Sequence, residues 1–132
     1  MYQVTELSTD IFASLLPGLD RIKQRCPDVS WDTELIFTEL LDGRTRLFLD
    51  KDYPGDFLIV RLDWNSHRKE AELFVRVAYS ASPVAKALFE KKLVKLAEYF
   101  SASRVTMMSS RRGFKNYGGW KAVSMLYSME IC

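Results

Sequence analysis

A chain of 132 residues, 48% apolar and 27% charged, is long enough to bury a real core as one domain. A net charge of +2 is too small to mark a nucleic-acid binder by itself, and no apolar run is long enough to span a bilayer. "MYQVTELSTD" lacks the basic-then-apolar order of a signal peptide, and the two cysteines, Cys26 and Cys132, make neither a disulfide framework nor a metal-ligand spacing. The expectation is one soluble, untargeted domain over residues 1–132 in a reducing compartment.

"YQVTEL" alternates weakly and reads as a short strand, closed by a Ser8-Thr9-Asp10 cluster able to cap a helix. Ile11, Leu15, Leu19 and Ile22 then recur at spacings of three and four, which gives one apolar helical face. Pro17-Gly18 falls inside that pattern and is expected to kink or divide the helix. Pro27 disfavours helix at Cys26, so "RCPDVS" is a break. A second helix is expected with Ser30 as its cap, Asp32 and Glu34 in the first turn, and Ile36, Phe37, Leu40 and Leu41 inward. Asp42-Gly43 ends it by allowing a left-handed turn.

After this the period changes to two. "RLFLD", "FLIVRLDW" and "EAELFVRVAY" read as strands separated by the turns "KDYPGD" and "NSHR", most simply an antiparallel meander. Ser82-Pro83 then opens a helix with Phe89, Leu93, Leu96, Ala97 and Phe100 on its apolar face and Lys86, Lys91, Lys92 and Lys95 solvated. "RVTMMS" is a short buried strand, "RRGFKNYGGW" a glycine-interrupted helix or loop, and "KAVSMLYSMEI" a last strand. The fold class is α/β with a mainly antiparallel central sheet, in the order β-α-α-β-β-β-α-β-α-β.

That order, with "LFVRVAYSASPVAKALFEKKL" as strand-loop-helix and "GFKNYGGWKAV" near the end, resembles the GNAT superfamily of N-acetyltransferases. The resemblance implies a cleft for acyl-CoA where the fourth and fifth strands splay, and a pyrophosphate loop of Gln or Arg, two residues, Gly, one residue, then Gly or Ala. Glycine suits such a loop because backbone N–H groups must approach the diphosphate closely. Ungapped, those positions fall on Ser80, Pro83 and Ala85, and only Ala85 fits, since Pro83 has no N–H and Ser80 no charge. A working loop would present Ser80, Ser82, Ala85 and Lys86 to acetyl-CoA. The family's acid is often a tyrosine four residues before a Gly-aromatic pair; with Gly119-Trp120 as that pair, Lys115 holds the place and Tyr117 is displaced by two, to another helical face. Glu72, on the strand before the loop, is the base candidate that the resemblance implies.

From "DRIKQRCPDVSW" to "SRRGFKNYGGWKAVSMLYSMEI" the chain is also similar to small GNAT-like internal virion proteins of short-tailed bacteriophages. Membership implies a virion or tail component of the genome-delivery apparatus, made in the host cytoplasm, with no cofactor and with other virion or tail proteins, or copies of itself, as partners. The rival expectation is an acyl-CoA-dependent N-acetyltransferase with an atypical loop, acting through Glu72 and Tyr117. Arg104, Arg111, Arg112, Lys115 and Lys121, interleaved with Phe114, Tyr117 and Trp120, form an interaction patch; the small net charge favours a protein partner over single-stranded nucleic acid. His67 reads as an exposed turn residue, and Asp50, Asp52, Asp56 and Asp63 as turn aspartates bonded to local backbone.

Overall fold

The computed structural model describes residues 1–27, 29, 31–81 and 88–107. Strand β1 is Tyr2–Val4 and helix α1 is Thr9–Arg25. Ser8 caps α1 with extended backbone, its Oγ accepting from the Ile11 N–H at 3.2 Å. Pro17 sits inside α1, which runs through it undivided. The flanking Leu15, Gly18 and Leu19 are buried, and that packing offsets the hydrogen bond proline removes. Gly18 is needed for close approach: a Cβ there would lie 2.6 Å from Phe57 Cε1 and 2.8 Å from Tyr79 Cδ2.

Helix α2 is Thr33–Leu41. Its cap is Asp32, whose Oδ1 accepts from the Leu35 N–H at 2.7 Å, a correction to the choice of Ser30, which lies outside the described residues. Gly43 at φ +82° turns the chain out of α2, as the Asp42-Gly43 pair implied.

The sheet then builds through β2 (Arg46–Leu49), β3 (Phe57–Asn65) and β4 (Glu70–Tyr79), crosses through helix α3 (Phe89–Tyr99), and adds β5 (Ala102–Met107). Strand order is β1-β2-β3-β4-β5; each neighbour is antiparallel except β4 and β5, which are parallel. A parallel pair needs a crossover, and α3 is the part of it that the structure describes. The expected final helix and strand, and the Ser82-Pro83 helix start, lie outside the described residues.

Both faces of the sheet are covered. Phe57, Ile59, Leu47 and Val77 pack with Leu15, Leu19, Trp31 and Ile36 of the α1–α2 layer. Leu58, Val60, Leu73 and Val75 pack with Leu93, Leu96 and Ala97 of α3. Residues 57–60 are therefore buried at every position, as a doubly covered strand requires. One irregularity interrupts the alternation. Ile59 pairs with Val77 but Val60 with Val75, so Arg76 is an extra residue, a β-bulge that sends Val75 and Val77 into opposite clusters.

Candidate functional site

Strand β4 separates three features: its first half, its exit, and the helix that follows. The parallel β4–β5 ladder runs from Ala71 opposite Ala102 to Val75 opposite Met107. Residues 76–79 of β4 continue beyond it with no described β5 partner. This is the stretch where the expected acyl cleft begins.

At the exit of β4 stands Asp56, only 5% exposed. Its Oδ2 accepts from Ser80 Oγ at 2.8 Å and its Oδ1 from the Ala81 N–H at 3.1 Å. Asp56 is thus a long-range clamp, not an aspartate bonded to its own turn as expected. Donors at the start of the candidate loop face a carboxylate, and an anion approaching them meets like charge in a partly buried setting. Ser82, Ala85 and Lys86, the remaining expected cofactor contacts, lie outside the described residues.

On the first half of β4, past the cover of α2, one sheet face carries charges of alternating sign. Arg61 Nε and Nη2 donate to Asp63 Oδ1 and Oδ2 at 2.6 and 2.9 Å, and the Arg61 guanidinium lies 4.5 Å from the centre of the Phe74 ring. The Asp63 hydrogen bonds raise the Arg61 pKa against the opposing pull of burial, so the group stays charged. Asp63 is therefore a strand residue, not a turn residue. The Arg-x-Asp spacing, two residues apart on one strand face, was the signal for this pair. Glu72 stands opposite Asp63 and beside Arg104. Its Oε1 accepts from Asn65 Nδ2 at 3.0 Å and lies 3.9 Å from Arg104 Nε. Next comes the bulge residue Arg76, whose Nε donates to Glu39 Oε1 of α2 at 3.1 Å, with the side chains 14% and 11% exposed. Three arginines and three carboxylates balance, and Glu72 makes the longest of the three ion pairs. Glu39 and Arg76 were not singled out from the sequence, since nothing in either local stretch announces the other.

The remaining members of the expected patch, Arg111, Arg112, Phe114, Lys115, Tyr117, Trp120 and Lys121, lie outside the described residues. His67 is exposed in the β3–β4 turn, where Asn65 Oδ1 accepts from the His67 and Arg68 N–H groups at 3.1 Å. Cys26 is buried and is not a free thiol. Among the described residues no three His, Cys, Asp or Glu side chains gather to hold a metal ion, and no helix is long and apolar enough to cross a membrane.

Lys92 of α3 is not solvated as expected: 20% exposed, it donates to Asp50 Oδ2 and lies 5.2 Å from the centre of the Tyr53 ring. Asp50 Oδ1 also accepts from the Asp52 N–H at 2.9 Å, the local turn bond anticipated for these aspartates.

No protein-family profile and no curated protein matches this sequence. Solved structures do. A "probable acetyltransferase" superposes with a TM-score of 0.66 at 13% identity, over 94% of this chain and 92% of that one. The ribosomal-protein-alanine N-acetyltransferase of Brucella melitensis biovar Abortus gives 0.56 at 19% identity, over 90% and 95%. An aminoglycoside acetyltransferase from an uncultured soil metagenomic sample gives 0.57 at 12% identity, over 93% and 92%. The fold is that of the GNAT acetyltransferases. At these identities the likeness concerns the backbone path, and function rests on the residues that the GNAT fold carries here. The coenzyme A that a GNAT fold implies needs open donors at the exit of β4. Ser80 Oγ and the Ala81 N–H are turned to Asp56, so the described part of that site does not fit a diphosphate.

Proposed function

We propose that this chain is a non-catalytic GNAT-fold protein that acts by binding other proteins, as a component of a phage virion or of its tail and genome-delivery apparatus. The observation carrying the loss of catalysis is the Asp56 carboxylate on Ser80 Oγ and the Ala81 N–H. It joins two features of the sequence: Pro83 offers no N–H, and Lys115 stands where an acid would. The virion setting is supported by the resemblance to small phage proteins, and it places the protein in host cytoplasm during assembly. Other virion or tail proteins, or further copies of this chain, are the partners.

Acetyl transfer is the second reading, favoured by Glu72. That carboxylate is held by Asn65 and only loosely by Arg104, which leaves it able to accept a proton from an acceptor amine. Tyr117 is the acid in that reading. Titration calorimetry with acetyl-CoA separates the two. No heat at millimolar ligand supports the binding protein; micromolar affinity, or coenzyme A copurifying, overturns it. Copurification of the chain with mature phage particles tests the setting. DNA binding that falls steeply with salt would move the assignment to nucleic acid.

A further inference from the structure

At the far end of the sheet, β1 is the outer strand among the described residues, so one row of its main-chain N–H and C=O groups has no strand beside it. Helix α3 runs alongside on one face of the sheet and turns Lys92, Lys95 and Tyr99 toward this edge. With Gln3, Phe48 and Leu96 they line a cavity of about 330 Å³. Its floor is apolar, since Phe48 and Leu96 belong to the core under α3. Its rim is basic and aromatic. Lys92 is committed to Asp50, whereas Lys95 is exposed and has no ion pair among the described residues. Tyr99 is 75% exposed beside it, although an aromatic ring is costly to leave in water.

An open strand edge asks for main-chain hydrogen bonds from an extended chain. The apolar floor asks for an apolar side chain, and the exposed lysine for a carboxylate. Alternate residues of a strand point the same way, so one added strand directs every second side chain into the groove. We propose that the β1 edge and the groove between β1 and α3 dock an extended acidic segment of a partner protein as an added strand. An apolar side chain of that segment rests on Phe48 and Leu96, and a carboxylate meets Lys95. Because β1 is only three residues long, the contact is brief, and the lysine supplies much of its selectivity. This names the partner chemistry of the binding reading above and rests on it.

The test uses the full chain and a short fluorescein-labelled peptide of Val-Thr-Glu-Thr repeats, which sets Val and Glu in turn on one strand face, followed by fluorescence anisotropy. Saturable binding is expected, weakened at least about tenfold by Lys95→Glu and less than about threefold by Lys91→Glu, an equal charge change outside the groove. Amide hydrogen exchange at residues 2–4 slows when the peptide binds. Absence of saturable binding overturns the proposal, as does equal weakening by the two variants or unchanged exchange at β1. A single-stranded oligonucleotide that binds more tightly, with the same Lys95 dependence, overturns it in favour of nucleic acid. Acetyl-CoA binding would instead sink the non-catalytic reading, so the two failures are told apart.

Discussion

Ser80 Oγ donates to Asp56 Oδ2 at 2.8 Å, tying the exit of β4 to the turn that precedes β3. Asp56 also holds the Ala81 N–H, so one carboxylate satisfies two donors at a strand end. Asp56→Ala removes both bonds, and losing hydrogen bonds to a charged acceptor costs about 1.5–3 kcal/mol. Asp56→Asn keeps an acceptor and costs less. Urea unfolding measures both; an Asp56→Ala midpoint equal to wild type would deny the clamp its role.

Asp50 predicts a pH dependence. Burial alone would raise its pKa, but the Lys92 hydrogen bond and charge, with the Asp52 N–H, hold it below the ordinary 3.8. The folded state therefore binds this proton less readily than the unfolded chain does. The resulting stability is fully present above the ordinary value and is lost as pH falls through the lower folded value. Lys92→Met leaves the carboxylate buried without its cation. Denaturation midpoints should then lose this acid-side decline, lying below wild type near pH 6 and converging with it toward about pH 2.

Arg76 and Glu39 are each nearly buried, so removing either leaves the other charge uncompensated. Arg76→Ala or Glu39→Ala is expected to cost about 3–5 kcal/mol, while Glu39→Leu with Arg76→Met costs less than either single change. A double-mutant cycle of the two alanine variants and their combination, read by urea unfolding, checks the sign of the coupling. Additive losses would mean that the pair does not act as a unit.

Gly18→Ala places a methyl group against the Phe57 and Tyr79 rings, which are packed on each other with centres 5.8 Å apart. Alanine favours helix, yet here overpacking should win and destabilise by about 1–3 kcal/mol. Thermal melts decide it, since a stabilised variant would show that the helix can lift off the sheet at no cost.

The sequence by itself determined the described elements and their order. Ile11, Leu15, Leu19 and Ile22 are spaced for a helix, "EAELFVRVAY" matches β4 residue for residue, and Gly43 ends α2 where a left-handed turn was needed. These are periodic or local signals, readable within one turn or one strand. Tertiary structure alone decided that Pro17 stays within α1, that Arg76 bulges, and which charges are held. Asp56 meets Ser80 across 24 residues, Glu39 meets Arg76 across 37, and Asp50 meets Lys92 across 42. A single carboxylate and its distant donor have no period and no propensity to betray them; only the folding of the sheet between its two helical layers brings them together.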